Sequence, residues 1–441
     1  MKIPPVKGTR DLYPERFAPI RRIFDAWRSA SIRHGFEEFE GPTLEMLDLY
    51  REKSGDELVG QLYRLTDSGG RELALRPEMT PTLARMVAAR INALSRPIKW
   101  FCMPKLFRGE NVQRGRLREF FQWNVDVIGT ADMVADAECI LVGVEALRDL
   151  GLTEKDFRVH ISNRRLIASL LAGAGIAETD HAGAYALMDK VAMVEGDVIC
   201  KQWNRRFGKQ IDFADLYDLL SVADLDTLRG TLAGGDSDIR PSANLDAAIA
   251  ETEQLFTVLR HFGIIEYCEL DLEIIRGLAY YTGPVFEFHD RSNANRAICG
   301  GGRYDDLLGK LGKSPEPAVG FGMGDVVLSL MLEERGLLDA PQTRNAVFVA
   351  DAVDGLRPKL LGVVAALRRA GYQTEFNYVR QGLSKQLKTA DKKGCVYAVI
   401  LGDETLGRGV VQIKDMTGGQ HREAAMDALI ESPREVLEAR P

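Results

Sequence analysis

The sequence has 441 residues, of which 57 are Lys or Arg and 64 are Asp or Glu, so its formal net charge is −7. This balance excludes a uniformly basic protein that coats nucleic acid, although a local basic groove is compatible with it because partners respond to patches of charge. With 45% hydrophobic and 27% charged residues, the composition is that of a soluble globular protein. At roughly 100–200 residues per domain, the length predicts two to four domains.

The cysteines and the first residues of the chain indicate in which cellular compartment the protein is expected. The six cysteines are too far apart in sequence for a CxxC pair, so neither a zinc site nor a disulfide framework is indicated. There is no run of about 18 apolar residues, and the first 16 residues carry charges and prolines, unlike a signal peptide. We therefore expect a cytoplasmic protein with reduced thiols and no association with a membrane.

The predicted elements at the start of the chain are short strands and helices. Ile20–His34 has apolar residues at helical spacing, Gly35 is placed to end the helix, and Phe36–Pro42 is a short strand. Two longer strands, Ile98–Arg108 and Arg118–Ile128, flank a polar stretch that contains glycine. Strands that follow one another without an intervening helix indicate an antiparallel sheet.

The pattern changes in the middle of the chain. From about residue 174 to residue 255, short helical segments alternate with polar loops, which predicts an all-helical insertion. Strand signals then return, and a glycine-rich turn leads to a helix near Asp325–Arg335. These strand signals are Tyr267–Ile275, Val285–His289 and Arg296–Cys299. Residues 1–335 are thus predicted to form an α+β domain in which helices flank an antiparallel sheet.

A second domain is predicted at the C-terminus. Residues 336–344 include a proline and polar residues and are predicted to be a linker. From residue 345 to residue 441 strands and helices alternate, which predicts a small α/β domain large enough to fold alone.

Four clusters of residues are candidates for chemistry. The first is Arg76-Pro77-Glu78-Met79-Thr80, where a strand ends and a helix begins. Glu78 and Thr80 could simply satisfy amides of the first helical turn. Alternatively, Glu78 could bind the ammonium group of a substrate, and the pattern by itself leaves both interpretations open.

The second cluster is the strand Arg118–Ile128 with the arginine-rich segment that precedes it. Alternate residues of a strand share a face, so this strand should have one polar and one apolar face. The polar face carries Phe120, Gln122, Asn124 and Asp126, and the apolar face carries Phe121, Trp123, Val125 and Val127. A row of amide and carboxylate groups destabilises a sheet unless it binds something, and the nearby arginines suit phosphate oxygens. An exposed, salt-bridged hairpin is the alternative.

The third and fourth clusters are rich in glycine. Arg276–Glu287 contains the paired residues Tyr280 and Tyr281 beside glycines that would let the backbone approach a ligand. Cys299–Asp305 and Gly320–Asp325 could cradle a phosphate or an adenosine at a helix start. A GxGxG pattern without a Rossmann context or a GK[ST] sequence is weak evidence for a nucleotide site.

In this order, the clusters resemble the histidyl-tRNA synthetase family of class II aminoacyl-tRNA synthetases, and the resemblance covers nearly the whole chain. Its elements are Lys7–Asp11, a motif-1-like Gly35–Pro42, an RPE.T stretch at Arg76–Thr80, motif 2 at Phe107–Asp126, an RG..YYTG signature at Arg276–Glu287, motif 3 at Gly300–Gly324 and an anticodon-binding domain at 345–441. The RG..YYTG signature is the most specific of these, whereas motifs 1–3 alone would indicate only the class II superfamily.

The resemblance implies a histidine–tRNA ligase, which activates histidine with ATP to histidyl-adenylate and transfers it to the 3′ end of tRNA(His). It implies that histidine is bound by Glu78, Thr80, Gln122, Asp126, Arg276, Tyr280 and Tyr281. It implies that ATP is bound by Arg108, Glu110, Arg116, Phe120 and Arg303. Arg108 and Arg276 would be the catalytic cations, with Mg²⁺ carried in by ATP rather than held at a dedicated protein site. A homodimer with an isologous interface around Phe36–Pro42 is also implied.

The sequence departs from the family pattern in two places. Motif 3 of this class usually carries an arginine that reaches the γ-phosphate, and the aligned residue is Val327, for which Arg116 or Arg303 could compensate. The motif 2 loop, Gly109–Arg114, lacks the histidine that is common there. Together with Ala279 in the signature, these features resemble a divergent branch found in plant organelles and some bacteria, and we interpret them as lineage variation.

Three lysines of the C-terminal domain are candidates for tRNA binding. Lys385, Lys388 and Lys392 recur at i, i+3 and i+7 and therefore share one face of a predicted helix. A solvated face is the default interpretation of such a run. In an anticodon-binding domain we expect these lysines to contact phosphates of the anticodon stem, which would make tRNA binding dependent on salt.

The nearest alternative is a non-catalytic protein, the histidyl-tRNA synthetase-like regulatory subunit of ATP phosphoribosyltransferase. That subunit typically lacks the anticodon-binding domain and loses signature residues, whereas this chain keeps both, and Val327 alone favours it. An accessory nucleic-acid-binding protein of class II ancestry would not need the retained set of polar residues. An unrelated ATP-dependent ligase would leave the C-terminal domain unexplained.

Overall fold

The computed structural model describes residues 3–51, 60–188, 196–208, 213–234, 239, 244–275, 281–292, 296–306, 308–309, 315–338 and 346–438. The chain divides into two compact units, Met1–Asp339 and Ala340–Pro441. Residues 339–344 of the predicted linker lie outside the described residues.

The described elements of the first unit are as follows. Its strands are β1 (Glu37–Glu38), β2 (Leu44–Met46), β3 (Arg64–Thr66), β4 (Glu72–Leu75), β5 (Ile98–Cys102), β6 (Lys105–Phe107), β7 (Glu119–Ile128), β8 (Phe157–Asn163), β9 (Cys268–Leu270), β10 (Pro284–Asp290), β11 (Cys299–Arg303) and β12 (Ala318–Gly324). Its α-helices are α1 (Pro14–Arg33), α2 (Asp48–Arg51), α3 (Thr80–Arg90), α4 (Met133–Asp149), α5 (Arg164–Gly173), α6 (His181–Met188), α7 (Gly196–Phe207), α8 (Phe213–Leu220), α9 (Leu225–Gly234), α10 (Leu245–His261) and α11 (Asp325–Glu334). Single 3₁₀ turns occur at Ile91–Ala93, Glu178–Asp180 and Ile265–Tyr267.

One large sheet organises this unit. Its order is β1-β5-β7-β12-β11-β10-β8-β9, and β6 also pairs with β7. The pairs from β5 to β8 are antiparallel, whereas the edge pairs β1–β5 and β8–β9 are parallel. The predicted α+β fold with an antiparallel sheet is therefore confirmed. A separate three-stranded sheet has the order β2-β4-β3.

The apolar face of β7 builds the core beneath the sheet, as its alternation predicted. Trp123, Val125 and Val127 are fully buried, and helices α1 and α4 pack there. The Trp123 ring stacks on Trp27 of α1 with centroids 5.8 Å apart, and its Nε1 donates to Ser31 Oγ at 3.0 Å. This packing fixes the rotation of β7, so its polar face must point away from the core.

Two predicted strands have different bounds in the structure, for local reasons. The predicted strand Ile98–Arg108 divides into β5 and β6 around Pro104, because proline has no amide hydrogen for a sheet ladder. The strand predicted at Arg296–Cys299 lies instead at Cys299–Arg303, so the glycines expected in a turn are part of β11.

Helices α5 to α10 share a second apolar core that includes Leu171, Trp203, Phe213 and Leu216. Among the residues described between Arg164 and His261, every regular element is helical. The end predicted for the insertion, residue 255, falls inside α10.

The second unit has a five-stranded sheet. Its elements are β13 (Ala346–Asp351), α12 (Arg357–Arg369), β14 (Gln373–Glu375), α13 (Leu383–Lys392), β15 (Tyr397–Leu401), α14 (Asp403–Gly407), β16 (Val410–Asp415), β17 (His421–Ala425), α15 (Met426–Glu431) and α16 (Pro433–Glu438). The sheet order is β14-β13-β15-β16-β17, with parallel pairs at β14–β13–β15 and antiparallel pairs beyond. Of the helices in the described ranges of both units, none is long and apolar enough to cross a bilayer.

Candidate active site

The polar face of β7 borders two adjoining cavities, of about 70 Å³ and about 280 Å³. The smaller cavity is lined by Glu78, Thr80, Arg108, Gln122, Asn124, Asp126, Tyr281, Gly300, Tyr304, Gly320, Phe321 and Gly322. The larger cavity is lined by Arg108, Glu110, Gly115, Arg116, Leu117, Phe120, Gln122, Glu287, Arg296, Ala297, Ile298, Cys299, Gly300, Gly322, Gly324, Val326 and Val327. Both cavities share Arg108, Gln122, Gly300 and Gly322, so two ligands bound in them would meet at these residues.

Glycines of β12 make room for the polar side chains of β7. Gly320 pairs with Asp126 in the β7–β12 register, and a Cβ atom at Gly320 would overlap the Asp126 carboxylate. A Cβ atom at Gly322 would lie 2.7 Å from the Gln122 side chain, which is closer than real Cβ contacts. The GxGxG sequence of motif 3 therefore serves close packing against β7 in a strand, rather than a phosphate-binding loop.

Asp126 is one of two buried carboxyl residues, with Glu78, among those that line the smaller cavity. It is 4% exposed, and the Tyr304 hydroxyl donates to its Oδ1 at 2.5 Å. Burial raises the pKa of Asp126 to about 7, although the hydrogen bond from Tyr304 lowers it. The sequence-based residue set does not include Tyr304. The sequence does contain a signal for Tyr304. Gly300, Gly302 and Tyr304 occupy alternate positions along and just beyond β11, so they are expected to lie on the same face of the sheet.

A second phenol lines the same cavity. The Tyr281 ring lies against β11, where a Cβ atom at Gly302 would approach its Cδ1 to 3.1 Å. Burial raises the pKa of Tyr281 above its ordinary value, so the phenol keeps its proton at neutral pH. The structure thus places Asp126, Tyr281 and Tyr304 around one small space. Arg276 and Tyr280, which were assigned to histidine, lie outside the described residues.

The strand-to-helix turn before α3 contributes the remaining polar groups. Met79 occupies the N-cap position of α3, whereas Glu78 and Thr80 line the smaller cavity, and Glu78 is 3% exposed. The neighbouring Arg76 is buried and structural, since its guanidinium donates to the carbonyls of Gly41 and Lys105 at 2.7 and 3.1 Å. These positions favour a ligand-binding role for Glu78 over a helix-capping one.

Arg108 stands where the two cavities meet. Its Nε donates to the Pro77 carbonyl at 2.9 Å, and its guanidinium carbon lies 5.3 Å from the centroid of the Phe120 ring. Glu110 and Arg116 form an ion pair of 2.5 Å at the wall of the larger cavity. Arg108, Glu110, Arg116 and Phe120, which the sequence-based assignment gave to ATP, therefore all line the larger cavity.

Arg303 was assigned to ATP from the sequence, and its position in the structure contradicts that assignment. Its side chain is 1% exposed, it pairs with the buried carboxylate of Asp136 in α4, and it donates to the Thr130 carbonyl at 3.1 Å. It lines neither cavity. Arg303 lies between Gly302 and Tyr304 on the strand, so alternation directs it to the opposite face of the sheet. It cannot compensate for Val327.

A buried carboxylate joins the segments that frame the larger cavity. Asp325, the first residue of α11, is fully buried and pairs with Arg10 at 2.7 Å. Its Oδ1 accepts a hydrogen bond from the Phe121 amide of β7 at 2.9 Å. The amide of Arg118 donates to the Gly8 carbonyl at 2.9 Å. The N-terminal segment is thereby connected to both motif 2 and motif 3.

In the second unit, the three predicted lysines are exposed on α13. Lys385, Lys388 and Lys392 lie within this helix, as their spacing predicted. Tyr378 precedes the helix in a loop and is 86% exposed, which sequence reasoning missed. Composition and spacing give no signal for the exposure of a single tyrosine.

The pKa of Asp126 makes a prediction about stability. Because this carboxyl ionises near pH 4 in an unfolded chain and near pH 7 in the folded one, the folded state retains a proton that the unfolded state has lost. The free energy of unfolding should therefore fall between these pH values, by at most roughly 1.4 kcal/mol per pH unit. The variant Asp126→Asn lacks this ionisation, so its stability relative to the natural protein should increase from pH 5 to about pH 7 and then level off.

Urea denaturation followed by tryptophan fluorescence measures this difference, because all four tryptophans belong to the first unit. Tyr304→Phe removes a hydrogen bond that lowers the pKa of Asp126. When Asp126→Asn is compared with the natural protein in this Tyr304→Phe background, the stability difference should therefore level off at a higher pH. A stability difference that is the same at every pH would show that Asp126 ionises in the folded protein as it does in water.

Comparison with known proteins agrees with the geometry. Residues 8–325 match the family described as histidyl-tRNA synthetase, and residues 346–435 match the anticodon-binding domain. The histidine–tRNA ligase of Opitutus terrae is 40% identical over 415 residues, covering 93% of each chain. The crystal structure of the histidyl-tRNA synthetase of a Nostoc species has a TM-score of 0.81 at 26% identity and covers 98% of this chain and 99% of that one.

A structure from Bacillus halodurans, described as an ATP phosphoribosyltransferase regulatory subunit/histidyl-tRNA synthetase, has a TM-score of 0.72 at 25% identity and covers 91% of this chain and 97% of that one. The family match extends over most of the first unit, and the relative from Opitutus terrae covers both units. The chain therefore belongs to the histidyl-tRNA synthetase family.

Proposed function

We propose that this protein is a histidine–tRNA ligase, which condenses histidine with ATP and transfers the histidyl group to tRNA(His). The observation that carries the proposal is the pair of adjoining cavities with Arg108 between them. The smaller has polar groups for an amino acid with an imidazole side chain, and the larger has an aromatic ring and cations for a nucleotide. The regulatory-subunit alternative is weaker because residues 346–435 match an anticodon-binding domain.

The smaller cavity suits histidine. An imidazole offers one N–H donor and one acceptor nitrogen in its neutral form. The Asp126 carboxylate can accept from the donor, and the phenol of Tyr281 can donate to the acceptor. Glu78, Thr80 and Gln122 would hold the α-ammonium group. A site with such buried partners rejects apolar amino acids of similar size, because its own polar groups would remain unpaired.

The larger cavity suits ATP. Phe120 would stack on the adenine, the Glu110 carboxylate would accept from its amino group, and Arg108 and Arg116 would contact phosphates. An oxygen of the histidine carboxylate attacks the α-phosphorus, a new O–P bond forms, and the bond to the bridging oxygen breaks as pyrophosphate leaves. Because two anions must approach, Arg108 at the cavity junction offsets their repulsion and stabilises the developing charge. We assign Arg276 to the same task, and Mg²⁺ enters as the metal complex of ATP.

The second half-reaction requires tRNA. A hydroxyl of the terminal ribose attacks the carbonyl carbon of the adenylate and loses its proton. An ester bond forms, and the bond between this carbon and the phosphate oxygen breaks as AMP leaves. We assign the exposed lysines of α13 to phosphates of the anticodon stem. We also propose the division of the chain into a catalytic domain at 1–335 with a helical insertion at about 174–255, a linker at 336–344 and the anticodon-binding domain at 345–441.

We further propose a cytoplasmic homodimer with its interface around Phe36–Pro42. Support comes from the neighbouring three-stranded sheet, where Leu44, Met46 and Leu65 are 44%, 47% and 38% exposed. Large apolar side chains gathered at a surface favour association with a second copy.

The proposal is tested by ATP–pyrophosphate exchange on the purified protein. Histidine alone among the amino acids should support exchange. Arg108→Ala should lower the rate about 100- to 1,000-fold, which is the typical loss when one stabilising donor is removed from a developing anion. Arg114→Ala is the matched control, because Arg114 pairs with Glu334 and lines neither cavity.

Exchange with a different amino acid would refute the assignment of the smaller cavity. Absence of exchange while histidine still binds would contradict the ligase proposal and indicate the regulatory paralogue.

Replacement of Lys385, Lys388 and Lys392 by alanine should raise the KM for tRNA. The slope of log affinity against log salt concentration should also become shallower by up to about three, because each phosphate contact contributes about one unit. Pyrophosphate exchange should not change. The matched control replaces the same three residues by arginine, which retains the charge and should retain the salt slope. An unaltered KM and slope in the alanine variant would show a merely solvated helix face.

A further inference from the structure

The charged residues at the wall of the larger cavity include an arginine to which no role in ATP binding has yet been assigned. ATP carries about four negative charges when fully ionised, and the described lining includes three arginines, Arg108, Arg116 and Arg296. Arg108 stands at the junction with the smaller cavity, and Arg116 is paired with Glu110 at 2.5 Å. Arg296 belongs only to the larger cavity, and no role was assigned to it from the sequence.

The backbone around Arg296 determines which wall it occupies. The Ile298 amide donates to the Phe288 carbonyl at 2.7 Å, and the Gly324 amide donates to the Ile298 carbonyl at 3.3 Å. Gly324 is the N-cap residue of α11. The segment that carries Arg296 is therefore bonded to the residue from which α11 begins.

Arg296 lies on the ligand side of the sheet, in the wall of the larger cavity. The consecutive residues 296–300 all line this cavity, and a Cβ atom at Gly300 would meet open space. A ligand in the larger cavity therefore lies beside the segment that carries Arg296.

Val327 belongs to the same wall but brings no charge. It is 8% exposed and lines the larger cavity. A Cβ atom at Gly115 would lie 3.3 Å from its Cγ2, so the motif 2 loop packs closely over this position. The carboxylate of Glu287, which also lines the cavity, accepts a hydrogen bond from His289 Nε2 at 2.8 Å.

We propose that Arg296 binds the terminal phosphates of ATP and thereby supplies, from the segment before β11, the positive charge that position 327 of α11 lacks. The inference rests on the proposed use of ATP in the larger cavity. It defines Arg296 as a substrate-binding residue for the β- and γ-phosphates, with no contact to histidine or to the adenosine part of the nucleotide.

Equilibrium binding of ATP and of AMP to the full-length protein tests this assignment. In Arg296→Ala the Kd for ATP should rise about 10- to 150-fold, which is the range for the loss of one hydrogen bond to a charged group. The Kd values for AMP and for histidine should not change, because neither ligand has β- or γ-phosphates. Arg114→Ala is again the matched control, and Arg296→Lys should recover part of the affinity because it retains the charge.

A second variant tests whether the charge can be exchanged between the two positions. Arg296→Ala combined with Val327→Arg should regain affinity for ATP over Arg296→Ala alone. Crowding by Gly115 could prevent this variant from folding, so the comparison of ATP with AMP remains the deciding measurement. Equal weakening of ATP and AMP would make Arg296 a structural residue, and an unchanged Kd for ATP would exclude contact with the phosphates. Both results overturn the assignment. Because these are binding measurements, they decide it even if histidine-dependent exchange fails and the ligase proposal falls.

Discussion

The structure of the first unit depends on burying a carboxylate at the centre of a sheet. Asp126 lies opposite Gly320 in the β7–β12 pair, where a larger residue would overlap it. Its removal from water raises its pKa to about 7, which means that ionisation destabilises the folded state in the absence of a partner. The hydrogen bond from Tyr304 offsets part of this penalty. The protein therefore maintains a buried group at the expense of stability, which is typical of a site that binds a ligand.

The alternation of side chains along β7, β11 and β12 places polar groups and open space on one face of the sheet, where a reaction can take place. The apolar residues of β7 pack on α1 and α4 and hold the polar ones in place, while glycines of β11 and β12 leave space above the sheet. The same space widens toward Phe120 and Arg116. An amino acid and a nucleotide can therefore lie side by side on one rigid surface, with Arg108 between them. Orientation by a rigid scaffold is a large part of what such a reaction needs.

The polar face of β7 was predictable because a strand has a period of two and its apolar partners are large. The clustering of Glu78 with Asp126 became predictable only through the family resemblance, since contacts between distant segments have no local signal. The error over Arg303 has a specific cause. Its glycine neighbours indicated a turn, whereas they belong to β11, and in a strand Arg303 must face away from Gly302 and Tyr304. The same misplaced strand concealed that Tyr304 lies on the face of the sheet that carries Asp126.

The most direct test of this account is calorimetric titration of histidine at pH 8 into the natural protein and into Asp126→Asn. At this pH Asp126 is largely ionised and the imidazole of free histidine is neutral. The account predicts that the natural protein binds histidine and not phenylalanine, and that the substitution weakens histidine about 10- to 150-fold, as expected for a hydrogen bond to a charged group. Equal affinity of both proteins for histidine would contradict the central role of the buried carboxylate.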